Sequence, residues 1–386
     1  MATFKTKMVL GLVTGALLAS AGVQAEIVFE DDFDDQPDWT SALYSTDSVQ
    51  RATTHKIPEG WYSIRQVPTW APSTGYPDKH EAIEILASNA SKARGGKGKS
   101  FVSWRDSYNK GWNYWASESM LLKYFPEGYD QLYVEFWIRF DPNWTRSNVE
   151  GLAAATSKMF RVSSWSGDGS EYSAFSDGNI GPIALWDHKL NSYGMRVGLA
   201  FRGGPHSDNY KLAAEEIPDI GHIITSGSLG DVNANYTNSL RGMGVSGGDP
   251  QLTDRVKGGP LTGYVEHDQV FGPGDSWTKL GFFVKMNSDV GARDGEFRMW
   301  LNDEQMFVST QIPWLRSSET RDEKAQWNLV AIGGNDFFQT YPNEDRREEW
   351  YSIDDLVIRT DIPDYVNSGA NTIEVPPNPP AGFDVQ

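Results

Sequence analysis

Cysteine is absent from the 386 residues, which excludes disulfides, thiol nucleophiles and thiolate metal sites. That absence fits an oxidising compartment in which the fold does without cross-links. Histidine is scarce, with 6 residues, and no His-Glu-x-x-His zinc motif occurs. The P-loop and the dinucleotide-binding glycine pattern are also missing. Positive charge is in short supply: 34 Lys and Arg face 52 Asp and Glu, a net charge of −18. Such a surface repels nucleic acid and anionic membranes. It also repels an acidic polymer unless the binding groove is locally basic, and salt screens that repulsion. Long apolar runs are lacking too. The run Met8–Leu18 is too short for a membrane span, no later segment is longer, and no membrane insertion is expected. Helical periodicity is nearly absent.

What is present begins with a leader. Lys5 and Lys7 precede the apolar run, and small residues lead to Val23-Gln24-Ala25. Residues 1–25 read as a signal peptide, so a secreted or periplasmic location is expected. Removing its two lysines, with no acids, takes the net charge from −18 to −20. Residues 26–368 read as one domain, expected to be a monomer. Within it, 205–276 is a long polar stretch rich in Gly, Ser, Asn and Asp, expected as an insertion that walls a groove or hangs free. Residues 369–386 contain Pro376-Pro377-Asn378-Pro379-Pro380 and read as an extended tail.

Period-two alternation recurs. Leu132, Val134, Phe136, Ile138 and Phe140 form one face of a strand, with Tyr133, Glu135, Trp137 and Arg139 on the other. Leu280, Phe282, Val284 and Met286 alternate with Lys279, Gly281, Phe283 and Lys285, and a turn at Asp294-Gly295 leads into a hairpin partner. Between Tyr193 and Gly204, Met195, Val197, Leu199 and Phe201 alternate with Arg196, Gly198, Ala200 and Arg202. Further strands are expected at 27–29, 81–86, 157–163, 328–332 and 352–359. The pattern predicts an all-β protein, a jelly-roll β-sandwich of the concanavalin A-like kind, with two antiparallel sheets and a long loop insertion. Most of the 15 Trp and 16 Tyr are expected in its interior, and a few as platforms for sugar rings.

The succession LYVEFWIRF, SKMFRVSSWSGDG, YGMRVGLAFRGG, WTKLGFFVKMNSDVGARDGEFRMWLNDEQMF, WNLVAIGGNDFF and EEWYSIDDLVIRT resembles the jelly-roll polysaccharide lyases, families 14 and 20. The resemblance spans roughly residues 130 to 360 without the insertion. It implies β-elimination on a uronate-containing, acidic polysaccharide such as alginate or glucuronan. It also makes Lys158 the catalytic lysine. Arg196 and Arg202 stand six apart, where those families place two arginines three apart.

Uronate elimination needs a group that neutralises the carboxylate, a base for the neighbouring proton and an acid for the leaving oxygen. Arginine suits the first role because its fork matches two oxygens. Arg196 and Arg202 are candidates for it, and Gly198 and Ala200 between them leave room for a polymer. Pairing with strand acids such as Glu135 is the competing role. Lys158 is the candidate base, and Tyr193 or Tyr172 the candidate acid, with Tyr210 behind them. Arg105, Trp137, Arg139, His188 and Lys285 are candidate substrate binders, with Trp104 a further platform and His80 a further imidazole. No cofactor is required for this chemistry. A structural calcium is expected at Asp32, Asp34 and Asp355, where first and last strands of jelly rolls meet.

Two alternatives stand beside the lyase. A non-catalytic, lectin-like protein needs only aromatics and hydrogen bonders. A glycoside hydrolase of the same fold needs paired carboxylates, but Glu-x-Asp-x-x-Glu is absent, and Glu348-Glu349 and Asp354-Asp355 have the wrong period.

Overall fold

The structure is a computed structural model that describes residues 26–41, 57–66, 82–106, 115–144, 155–167, 180–191, 194–204, 210–212, 217, 224–226, 231–235, 253–259, 265–315, 325–337 and 348–367. In chain order its strands are β1 (Ile27–Asp31), β2 (Trp39–Thr40), β3 (Ser63–Gln66), β4 (Ile83–Ile85), β5 (Phe101–Asp106), β6 (Trp115–Tyr129) and β7 (Gln131–Phe140). There follow β8 (Ala155–Trp165), β9 (Ile180–Asn191), β10 (Gly194–Gly203), β11 (Tyr210–Lys211), β12 (Ile224–Ser226) and β13 (Asp231–Asn235). The last are β14 (Thr278–Lys285), β15 (Gly295–Leu301), β16 (Glu304–Ile312), β17 (Trp327–Phe337) and β18 (Glu348–Arg359). Among the described residues stand two short α-helices, α1 (His267–Phe271) and α2 (Asp364–Asn367), and two 3-10 segments, Ala87–Lys92 and Arg94–Gly96.

These strands form two nine-stranded antiparallel sheets. Sheet I runs β16-β15-β14-β7-β18-β5-β4-β2, with β1 also on β18. Sheet II runs β12-β13-β10-β9-β8-β17-β6-β3, with β11 on β10. The expected all-β sandwich is the observed fold. The 205–276 stretch also carries regular structure: β11 and β13 pair with β10, so this stretch widens sheet II as well as connecting strands. Among the described residues no helix is long and apolar enough to cross a membrane.

Alternation explains why the sheets stack. Val134, Phe136 and Ile138 of β7 and Leu280, Phe282 and Val284 of β14 face Phe160 and Val162 of β8, Trp186 of β9 and Val330 and Ile332 of β17. The Phe160 and Phe282 rings stack across the interface at 4.4 Å, and Phe136 reaches Phe160 at 5.3 Å. Each buried ring contributes roughly 1.5–3 kcal/mol relative to exposure.

One irregularity decides which residues share a face. On β8, Lys158 pairs with Asp187 and Phe160 with Trp186, so Met159 is an extra residue with no cross-strand partner on β9. This is a β-bulge, and it shifts the parity of β8. Lys158 and Arg161 are three apart, which a regular strand would send to opposite faces. The bulge brings both to the outer face of sheet II, Lys158 opposite Asp187 and Arg161 opposite Leu185. The neighbouring strand accommodates it with Gly333 and Gly334. Gly333 has φ +91°, and a Cβ on Gly334 would fall 2.1 Å from the Lys158 carbonyl oxygen.

Gly334→Ala is therefore expected to destabilise the protein by about 1–3 kcal/mol and to displace Lys158. Gly95→Ala is the control. It has φ +82° and nothing within 4 Å of a Cβ, so it carries only the ~1–2 kcal/mol cost of the left-handed backbone. Urea unfolding of both variants checks the ranking, and equal midpoints would remove the steric account.

Candidate active site

The outer face of sheet II is built row by row from the register. Lys158, Asp187, Gly198 and Asn233 are cross-strand neighbours on β8, β9, β10 and β13. In the next row stand Arg161, Leu185, Ala200 and Asp231, and in the following one Ser163, Ile183, Arg202 and Lys211. Direct cross-strand neighbours hold their Cβ atoms about 4.5–5.5 Å apart. Lys158, Arg161, Arg202 and Asp187 thus gather on one surface, and all four are buried. Along these three rows stand four basic residues, Lys158, Arg161, Arg202 and Lys211, and two acids, Asp187 and Asp231, on a chain of net charge −18. The floor between them is apolar or bare: Ile183, Leu185, Ala200 and Gly198. Arg196 lies in β10 with its backbone opposite Lys189 and Asn235. Tyr193 and Tyr172 lie outside the described residues.

Directly behind this face, between the sheets, sits a second polar group. Ser157 and His188 flank Lys158 and Asp187 in sequence, pair with each other in register and point inward. Arg105 of β5 reaches them from sheet I. Its guanidinium donates to Glu349 Oε2 at 3.1 and 2.7 Å, to Asp336 Oδ1 at 2.7 Å and to the Ser157 hydroxyl. Its Cζ lies 3.3 Å from the centre of the Trp144 ring. Arg105 is fully buried and forms an interior tie between the two sheets. Burial alone would weaken its hold on the proton, but Asp336 and Glu349 outweigh it and raise its pKa. Burial raises the Asp336 carboxyl, with Arg105 limiting the rise.

His188 is also interior. Its Nε2 lies 2.9 Å from His267 Nδ1 on α1, so one imidazole donates to the other. Phe140, Trp144 and Phe271 close around the ring. Burial, then His267, then Arg105 hold the His188 pKa well below 6.5.

The remaining candidates fall on the far side of the molecule. Trp137, Arg139 and Lys285 occupy the outer face of sheet I, opposite to Lys158. Arg94 lies over the Trp137 ring at 4.1 Å. Arg139 donates to the Ser91 carbonyl at 2.9 Å and to the Gly274 carbonyl at 3.3 Å, and Lys285 pairs with Glu296 at 3.0 Å. Trp104 donates to Glu84 there at 2.9 Å. These side chains serve sheet I and its connections. His80 lies outside the described residues.

The acids expected around calcium are engaged in other contacts. Asp355 pairs with Arg94 at 2.7 Å, Asp34 accepts from the Lys99 amide at 2.7 Å, and Asp32 accepts from the Asp34 amide at 3.1 Å. Among the described residues no group of three or more His, Cys, Asp or Glu stands together to hold a metal ion.

Arg161 and Asp187 join Lys158 and Arg202 as candidates on this face. The three-residue spacing from Lys158 hides Arg161 unless the bulge is known. Asp187 was overshadowed by His188 next to it.

No family model and no curated protein matches the chain. Solved structures do. Alginate lyase Aly36B, solved as a mutant with an alginate tetrasaccharide, is similar at 10% identity and a TM-score of 0.42, over 86% of this chain and 96% of that one. Alginate lyase vAL-1 from Chlorella virus is similar at 14% identity and a TM-score of 0.26, over 68% and 76%. The receptor-binding domain of botulinum neurotoxin type G is similar at 9% identity and a TM-score of 0.28, over 67% and 38%.

Two predictions arise from the interior group. Arg105→Met leaves Asp336 and Glu349 buried without a cation and should cost about 3–5 kcal/mol in urea unfolding. A loss below ~1 kcal/mol would show that the tie does not bear on stability. For His188 the depressed folded pKa sets the sign. The unfolded chain takes up a proton below about 6.5 and the folded one does not, so stability falls as pH drops below that value. His188→Gln should flatten this decline, and an unchanged pH profile would contradict it.

Proposed function

We propose that this chain is a polysaccharide lyase that cleaves a uronate-containing polymer by β-elimination on the outer face of sheet II. The observation that carries this reading is the placement of Lys158, Arg161 and Arg202 on one face of sheet II in an otherwise acidic protein. An extended polyanion lying across the strands meets guanidiniums at successive positions, and Gly198 and Ala200 let it approach the backbone. Arg202 and Arg161 neutralise carboxylates, and Arg196 is a further candidate for the same role. Neutralisation makes the proton on the carbon beside the carboxylate removable.

Lys158 then accepts that proton. The electron pair left behind forms a carbon–carbon double bond, and the bond to the glycosidic oxygen breaks. Tyr193 or Tyr172 gives that oxygen a proton. Atoms and electrons balance without an oxidant, a reductant or a cofactor. For Lys158 to be a base it must shed its own proton.

The test is an elimination assay on purified protein with alginate, glucuronan, ulvan, hyaluronan and heparin-type chains, at low and high salt. The readout is ultraviolet absorbance of the unsaturated uronide. Wild type should produce absorbance on at least one polymer, and Lys158→Ala and Arg202→Ala should each lower the rate at least ~100-fold. Binding without absorbance would replace the lyase by a lectin-like protein. New reducing ends without absorbance would replace it by a hydrolase.

A further inference from the structure

Three aromatic rings stand at the other end of the same sheet face. Tyr62 precedes β3, Tyr124 lies on β6 and Trp165 ends β8. Their ring centres are 5.1 Å (Tyr62 to Tyr124), 5.6 Å (Tyr62 to Trp165) and 5.1 Å (Tyr124 to Trp165) apart. The interplanar angles of 56°, 61° and 72° are edge-on or tilted, the arrangement that ring quadrupoles favour. Trp165 is buried, whereas Tyr62 is 45% exposed. The two inner rings therefore hold the outer one in a fixed attitude at the surface.

The backbone adds to this rigidity. The Tyr62 amide donates to the Leu122 carbonyl at 2.8 Å, and the adjacent Trp61 is tied by its indole to Asp31 at 2.7 Å. The Tyr124 hydroxyl packs against Gly167, where a Cβ would fall 2.1 Å from that oxygen. No side chain other than glycine fits there without moving the phenol.

The trio is continuous with the candidate active site. Trp165 and Tyr124 pack on the apolar cluster of Leu122, Leu329, Ala331 and Leu185, and Arg161 stands between Ala331 and Leu185 in register. Tyr124 is two strands and two alternations away from Lys158. At a strand spacing of ~4.8 Å and a rise of ~3.3 Å per residue, that is about 16 Å. A polysaccharide chain running diagonally over sheet II from Lys158 reaches Tyr62 a few sugar units on.

We infer that Tyr62, braced by Tyr124 and Trp165, is a distal subsite that stacks on a pyranose ring of the polymer whose cleavage is proposed at Lys158. The inference rests on that reading for the polymer's path. A protein partner fits the surface poorly. A stable interface takes about 800 Å² per partner, and the large apolar side chains exposed among the described residues are Ile27, Tyr62, Val256 and Tyr365, scattered rather than joined. A single rigid ring with a phenolic edge suits the apolar face of one sugar, with its hydroxyls left in water. The ring is already held in place, so little ordering entropy opposes binding.

The experiment compares wild type with Tyr62→Ala, Tyr62→Leu and Tyr62→Phe. KM and kcat are measured on long polymer and on short oligomers, and oligomer binding is measured by calorimetry. Tyr62→Ala and Tyr62→Leu should raise KM on long polymer by roughly three- to tenfold, with the increase confined to long substrates. Tyr62→Phe should restore wild-type behaviour, since it keeps the ring. Tyr62→Leu keeps the bulk, so a loss there is not a packing failure. Equal KM for all four proteins on long polymer would overturn the platform while leaving the lyase standing. If wild type cleaves nothing, the lyase falls and calorimetry alone decides. Binding of long oligomers that weakens in Tyr62→Ala and returns in Tyr62→Phe supports the platform, and binding indifferent to Tyr62 overturns it.

Discussion

The structure depends on a guanidinium held between two sheets. Arg105 comes from sheet I and grips Glu349 beside it, then crosses the interior to Asp336 and Ser157 of sheet II. A β-sandwich held by apolar contact alone leaves the relative slide of its layers weakly specified. A charge-assisted fork with fixed directions does not. The residue bound by this fork, Ser157, is the one before Lys158. The inner polar group and the outer basic face are therefore two sides of the same few residues. A buried ion pair is weak evidence for stability as such, because desolvation offsets much of the attraction. Its value here is registry: it sets where the end of β8 lies relative to sheet I.

The bulge at Met159 does for the face what Arg105 does for the layers. Without it, Lys158 and Arg161 would point to opposite sides and no cationic surface would form. The cost falls on β17, which carries two glycines where a side chain would meet backbone. His188 and His267 add a link from the same strand end to α1, so part of the 205–276 stretch is anchored to the strand bearing Asp187.

Much of the fold was legible because alternation is a local signal. β7, β14 and β10 announced themselves, and Val134, Phe136, Ile138, Leu280, Phe282, Val284, Leu199 and Phe201 lie in the core as their alternation implies. β9 escaped, since Gly181-Pro182 interrupts its start, and proline argues against a central strand. β6 escaped because Ser117, Glu118 and Ser119 interrupt its start and Pro126 and Gly128 break its end. The site was less legible than the fold. Arg105, in SFVSWRDSY, looks no different in sequence from a surface arginine. Its burial follows from Glu349 and Asp336, more than 200 residues away. Trp137, Arg139 and Lys285 were correctly expected to face out of their strands, but "out" of sheet I is the opposite side of the molecule from Lys158. Alternation tells which residues share a side of one strand. It does not tell which sheet the strand joins.

The position of β18 has a consequence for how the chain comes to be folded. This strand, residues 348–359, lies inside sheet I between β7 and β5 and also receives β1. Its neighbour in sequence, β17, likewise lies inside sheet II between β8 and β6. Both layers thus keep a gap at their centre until residues beyond 327 have been made and delivered. A nascent chain short of that point has two halves of each sheet and no means of joining them. Closure is late and highly non-local, which makes folding slow. A chain built this way stays open, and able to be threaded, for nearly the whole of its synthesis.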